Sequence, residues 1–112
     1  MSQVTSHVLD TSKGKPAAGI PVILFQQDNE EWIEISRKHT NIEGRVTDLM
    51  TTGLYLQAGI YKIKFLTKKY FDFLSVQTFY PFIEITFEIT GNEHYHVPLL
   101  LNPFGYSTYR GS

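Results

Sequence analysis

Between Ile83 and Thr90 the chain alternates without a break. Ile85, Phe87 and Ile89 take one set of positions and Glu84, Thr86, Glu88 and Thr90 the other. Successive side chains of a strand point to opposite faces, so this rhythm fits an extended segment with one face in a core and one in water. The same rhythm returns at the end of the chain, where Tyr95, Val97, Leu99 and Leu101 share one face and His94 and His96 the other. Asn102-Pro103-Phe104-Gly105 then reads as a turn, because Pro presets φ and Gly tolerates φ above zero. A hairpin follows from that turn, and it brings His96 and Tyr109 near one another. The chain stops at Tyr109-Arg110-Gly111-Ser112 without the few dispensable polar residues that usually fray at a terminus. Polar groups on one face and core on the other make this hairpin a candidate site.

The remaining segments read the same way. Val4 to Asp10 is a first strand, with Val8 facing one side and His7 and Leu9 the other. Asp10 to Gly19 is a loop. Ile20 to Gln27 is apolar on both faces, as for a strand buried twice, against a partner sheet and a partner subunit. After a turn at Asp28-Asn29-Glu30, Glu31 to His39 alternates with Ile33 and Ile35 opposite Glu34 and Ser36. Glu43 to Asp48 is a turn and a short strand. Ala58-Gly59 opens a strand with Tyr61, Ile63 and Phe65 inward and Lys62 and Lys64 outward. From Lys69 to Tyr80 alternation fails, and Phe71, Leu74 and Thr78 fall at helical spacing, which predicts one short helix ending before Pro81. Gly91-Asn92 is a turn. Seven or eight short strands and at most one helix, with no repeat and no linker, predict an all-β fold: a two-sheet antiparallel sandwich in a single domain, residues 1–112.

At 112 residues and 42% hydrophobic, such a domain can bury a core without covalent staples. A net charge of −1, with both signs scattered, gives no electrostatic footprint for nucleic acid. The absence of cysteine removes disulfides, thiolate nucleophiles and Cys-based zinc sites, and fits a reducing, cytoplasmic setting. No apolar run approaches the ~20 residues of a membrane span, and the first residues show no basic or apolar signal-peptide region, so no membrane partner is expected.

The polar residues that could carry chemistry are His7, Arg45, His96, Tyr109, Arg110 and the carboxylate of Ser112. His94 and His96 share a face at i, i+2, but no third ligand stands at a recognisable spacing, so no metal site is predicted. His39, within Arg37-Lys38-His39-Thr40, reads as a solvated surface residue. Exposed strand histidines are also the ordinary reading of His7 and His96, and an arginine after a turn is an ordinary reading of Arg45. No Ser-His-Asp order, P-loop or Gly-rich cofactor turn is present.

The run His7-Val8-Leu9-Asp10-Thr11-Ser12-Lys13-Gly14-Lys15-Pro16-Ala17, with Val22 beyond it, resembles the N-terminal signature of the transthyretin family. Tyr95-His96-Val97-Pro98, followed by Leu101-Asn102-Pro103-Phe104-Gly105-Tyr106-Ser107, resembles its C-terminal signature. Tyr109-Arg110-Gly111-Ser112 is similar to the tetrapeptide that marks the 5-hydroxyisourate hydrolase branch. Asn102 departs from the Ser of many relatives.

The resemblance implies an eight-stranded sandwich with one short helix, and a homotetramer, a dimer of dimers, whose facing sheets enclose a channel holding the sites. His7, Leu9, Ser107 and Tyr109 would line it. The implied activity is that of a cyclic amide hydrolase of purine degradation, with a purine-derived substrate and no metal or organic cofactor. His96 or His7 would act as general base, Arg45 as the fixed cation that keeps the base neutral and stabilises an oxyanion, Tyr109 as a contact for the flat heterocycle, and Ser112 as the group that orients a histidine. Arg110 is expected to be structural. Two other readings stand beside it: a non-catalytic carrier of small hydrophobic ligands in the same channel, and a generic interaction sandwich.

Overall fold

The computed structural model describes residues 2–112, which form nine strands and one helix. In chain order these are β1 (Val4–Asp10), β2 (Lys15–Pro16), β3 (Pro21–Asp28), β4 (Glu31–His39), β5 (Arg45–Val46), β6 (Gly59–Phe65), α1 (Lys68–Phe73), β7 (Ile83–Ile89), β8 (Tyr95–Asn102) and β9 (Gly105–Thr108). One sheet runs β2-β1-β8-β9, with β5 also paired to β1; the other runs β4-β3-β6-β7. The two face each other as a sandwich. Every pairing is antiparallel except that of β1 with β8, which is parallel from Val4↔Tyr95 to Asp10↔Leu101. Parallel neighbours need a long connection between them. Here that connection is most of the chain, so the two ends of the sequence lie side by side in one sheet.

The core follows from the alternation. Val8, Tyr95, Val97, Leu99 and Leu101 of the first sheet meet Val22, Leu24, Tyr61, Ile63, Phe65, Ile83, Ile85 and Ile89 of the second. Each fully buried Leu, Ile or Phe among them contributes about 1.5–3 kcal/mol relative to exposure. Asp10, itself buried, accepts a hydrogen bond of 2.7 Å from the Tyr70 hydroxyl and one from Ser12, tying α1 to the end of β1. Among the described residues no helix is long and apolar enough to cross a membrane.

Three segments depart from the alternation. The helix covers only Lys68–Phe73 and not the stretch to Tyr80. Ser75 takes φ +58°, while the Val76 and Ser75 amides bond back to the Phe71 and Asp72 carbonyls, a left-handed cap that ends the helix. Thr78 then lies on no helical face; its hydroxyl and the Phe79 amide bond the Pro103 carbonyl at 2.7 and 2.9 Å, stapling the chain to the β8–β9 turn. In β4 the pairing jumps from Leu24↔Ser36 to Phe25↔Glu34, leaving Ile35 as a bulge residue. A bulge inverts the phase of the strand on its two sides, so Ile35 packs on the core while Ile33 is 46% exposed. Finally, Val22, Ile23 and Leu24 of β3 are all buried within the single chain, so no partner subunit is needed to cover them. Ile23 faces away from the core between the cross-strand neighbours Arg37 and Lys64, whose long aliphatic stems suit an apolar neighbour.

Candidate active site

Arg45 is placed by the turn before it. The Asn41 side-chain oxygen accepts from the amides of Glu43 and Arg45, both at 2.9 Å, and the Gly44 amide bonds the Asn41 carbonyl at 2.8 Å. Gly44 sits at φ +73°, and a Cβ there would stand 2.5 Å from the Val8 carbonyl oxygen. Only glycine lets the turn press against β1, where it sets Arg45 opposite His7.

The register then arranges the outward face in rows. Thr5 pairs with His96, His7 with Pro98 and Leu9 with Leu100 along the parallel pair. Ser107 lies opposite Leu100 across the hairpin. Pro98 has no amide hydrogen, so the β8–β9 ladder lapses beyond Leu99↔Thr108 and resumes in the same register at His96↔Gly111, where the Gly111 amide bonds the His96 carbonyl at 2.9 Å. The chain end is therefore held in the sheet rather than frayed. Gly111 is again required by space: a Cβ would fall 2.4 Å from His96 Cδ2. The tail closes directly over the His96 ring.

At the bottom of this face the Thr5 hydroxyl lies between two imidazoles, 2.8 Å from His94 Nε2 and 2.7 Å from His96 Nδ1. The rings stack with centroids 6.1 Å apart. Thr5 is buried, and the neighbouring Ser6 hydroxyl donates to the Val97 carbonyl at 2.7 Å, fixing β1 against β8. Above them opens a recess of about 530 Å³ lined by Thr5, Arg45, Asp48, His94, His96 and Ser112, among others. His7 is not among its lining residues; it lies one row along β1, across from Arg45.

The electrostatics favour neutral imidazoles. Burial lowers the pKa of His96 from its ordinary 6.5, and charge on His94, His7 and Arg45 lowers it further. His7 is lowered likewise, first by burial and then by Arg45, against an opposing hydrogen bond to the Glu43 backbone carbonyl. Arg45 makes no ion pair among the described residues, whereas Asp48 is engaged by Lys38 at 3.5 Å. Two lone-pair donors beside one permanent cation can take a proton from water and stabilise a developing oxyanion.

Of the residues singled out in the sequence, His7, Arg45, His96 and Ser112 come together. Tyr109 does not line the same recess: it is 58% exposed and lines a neighbouring hollow of about 260 Å³ with Ile85, Phe87, Tyr95 and Arg110. Arg110 stacks on the Tyr95 ring at 4.6 Å and reaches the His94 carbonyl at 3.4 Å. His39 is exposed, outside the site. Sequence reasoning missed Thr5, Asn41 and Gly111 and weighed His94 only as a metal ligand. The parity that puts Thr5 on the face of His7 was visible in β1.

Strand order, the single helix after β6 and an imidazole-bearing outer face define a transthyretin-fold sandwich. Two solved structures share it. The transthyretin of Sparus aurata superposes with a TM-score of 0.90 at 29% identity, covering 99% of this chain and 97% of that one. The 5-hydroxyisourate hydrolase of Klebsiella pneumoniae does so with a TM-score of 0.85 at 32% identity, covering 99% and 100%. The probable 5-hydroxyisourate hydrolase of Schizosaccharomyces pombe is 44% identical over 112 residues, 97% of this chain and 90% of that protein. The family model described as HIUase/Transthyretin matches residues 4–111, and the chain belongs to that family.

Proposed function

We propose that this chain hydrolyses 5-hydroxyisourate, the unstable product of urate oxidation, to 2-oxo-4-hydroxy-4-carboxy-5-ureidoimidazoline. The observation that carries the reading is the convergence of His7, Arg45, His96 and Ser112 on one outward face, with both imidazoles biased to the neutral form. The names of its relatives point the same way.

In this mechanism His96 takes a proton from water as the oxygen attacks a ring carbonyl. Thr5 engages Nδ1 of His96, which leaves Nε2 for the water. The carbonyl oxygen becomes an oxyanion beside the Arg45 guanidinium, which never gives up its charge. The tetrahedral centre collapses, the C–N bond breaks and the nitrogen leaves protonated, opening the six-membered ring. His7 supplies a second imidazole contact to the heterocycle, and Ser112 holds the histidine side of the recess. Tyr109 contributes from the neighbouring hollow once subunits assemble. The assembly is a homotetramer, a dimer of dimers, whose facing β2-β1-β8-β9 sheets enclose the sites, and the enzyme works in the cytoplasm.

A carrier of small apolar ligands is the second reading, favoured by the superposition on transthyretin. An unpaired guanidinium among imidazoles is a poor wall for an apolar ligand. The deciding experiment follows the ultraviolet absorbance of freshly generated 5-hydroxyisourate. Acceleration of its decay by the protein is expected; decay at the spontaneous rate would sink the hydrolytic reading. Light scattering at about four chain masses is expected for the assembly, and a fully active monomer would overturn it.

A further inference from the structure

We propose that Thr5 is a positioning residue that fixes the His96 tautomer and, with His94 behind it, forms a proton relay out of the site. The proposal rests on the hydrolytic reading above and adds two groups to it. Thr5 Oγ1 stands 2.8 Å from His94 Nε2 and 2.7 Å from His96 Nδ1. A hydroxyl has one proton, so it cannot donate to both rings: at least one imidazole must be the donor. In the arrangement that leaves a lone pair for water, His96 Nδ1–H donates to Thr5 and Thr5 O–H donates to His94 Nε2. His96 then carries its lone pair on Nε2. Thr5 is 7% exposed and β-branched, and the parallel register holds it opposite His96, so the bridge is built into the strands rather than into a mobile side chain.

The relay balances. Water gives one proton to His96 Nε2 and its oxygen bonds the carbonyl carbon, whose π electrons move to the oxygen. The His96 Nδ1 proton passes to Thr5 as the Thr5 proton passes to His94 Nε2. His96 is left neutral with its proton on Nε2, and the positive charge sits on His94. When the C–N bond breaks, its electron pair goes to nitrogen, which takes the Nε2 proton, and the two shifts run backward.

Charged and titratable groups face the pair from several elements. His7 comes from β1, Arg45 from β5, Asp48 with its Lys38 partner from the loop after β5, and Ser112 from the tail. Arg110 bonds the His94 carbonyl. Burial, and then charge on His94, His7 and Arg45, oppose a cation on His96, so a proton taken from water is not retained there as imidazolium. His94 lies just before β8, two residues back from His96 and further from the row that holds Arg45, His7 and Pro98.

The test compares Thr5→Val, which keeps the shape without the hydroxyl, with Thr5→Ser, which keeps the hydroxyl. Thr5→Val should lower kcat by roughly 10–100-fold with KM nearly unchanged, the scale seen when a working imidazole loses the partner that orients it, and Thr5→Ser should restore most of the loss. Nitrogen-15 NMR of wild type at neutral pH should show His96 protonated on Nδ1 and bare on Nε2, and in Thr5→Val a mixture of tautomers. Should Thr5→Val fail to fold, His94→Gln cuts the relay from its far end and carries the same kinetic expectation. An active wild type with Thr5→Val or His94→Gln at wild-type kcat, or His96 protonated on Nε2, would overturn the relay. Inactivity of wild type would instead defeat the hydrolytic reading, and the NMR result would still decide the tautomer.

Discussion

The outward faces of the two sheets look alike in sequence, each a row of polar residues alternating with core, yet they hold opposite kinds of polarity. On the β4-β3-β6-β7 sheet the cations of the outward face are engaged locally. Lys62 meets Glu84 at 2.9 Å and lies over the Trp32 ring at 4.4 Å, Lys64 lies over Phe82 at 4.2 Å, and Arg37 forks onto Glu34. On the β2-β1-β8-β9 sheet Arg45 has no carboxylate partner among the described residues, and the imidazoles are bonded to a hydroxyl that neutralises nothing. Self-satisfied charge makes a stable surface, while charge left unpaired beside neutral bases is held for a ligand. The difference between the faces, and not the fold they share, is what marks one of them as the candidate site.

The largest expected effect tests the tail that closes the second face. Deleting Tyr109 to Ser112 removes the Gly111–His96 bridge and the terminal carboxylate but almost none of the core. Turnover should nearly vanish while circular dichroism still reports a folded sandwich. A Gly-Ser extension beyond Ser112 keeps every side chain and moves only the carboxylate; loss of activity with assembly retained is expected there too. Full activity in both proteins would mean that the tail is no part of the site.

Next is the base. His96→Asn should lower kcat by about 10²–10⁴, the range for lost general acid–base catalysis, with folding intact. A loss of less than about tenfold would move the base to His7.

The pH profile is a subtler test. Because burial, His94, His7 and Arg45 all lower the His96 pKa in the free protein, the acid limb of kcat/KM should fall below the ordinary 6.5. Arg45→Gln removes one of these causes, so the limb should move to higher pH while burial keeps it below the ordinary value. Stability carries the same sign: a lowered folded pKa means the unfolded chain binds more protons near pH 6, so stability should fall as pH drops through the histidine range. A limb that moves to lower pH in Arg45→Gln would contradict this field.

How much of this was legible in the sequence varies by element. Where one face meets core and the other meets water, as in Ile83–Ile89, parity alone placed the side chains, and in Tyr95–Leu101 it placed all but Pro98, which is buried on the His96 face. The resemblance at both ends of the chain singled out His7, His96 and Ser112, whereas Arg45, outside both signatures, stood out only as a cation after a turn. What could not be read depends on neighbours distant in sequence. The bulge at Ile35 is visible only in its pairing with Leu24 and Phe25, and the parallel pairing of β1 with β8 only once the sandwich closes. The helix stops at Leu74 because Ser75 adopts φ +58°, which a serine does not announce. Thr5 looked like any strand threonine until His94 and His96 were set on either side of it.

The smallest expected effect probes the first face and so the comparison itself. Lys62 has the most protected charge there, with a side chain 13% exposed, its ammonium shared by Glu84 and the Trp32 and Phe25 rings. Lys62→Met removes the ion pair and both cation–π contacts but keeps the stem that covers the sheet. The pair is partly solvated, so about 1 kcal/mol or less should be lost in urea unfolding. Turnover should be unchanged, because the Lys62 ammonium is engaged by Glu84, Phe25 and Trp32 and by no residue of the site. A change in kcat with the assembly intact would show that this surface is coupled to the site through the shared core, and the division of labour between the two sheets would fall with it.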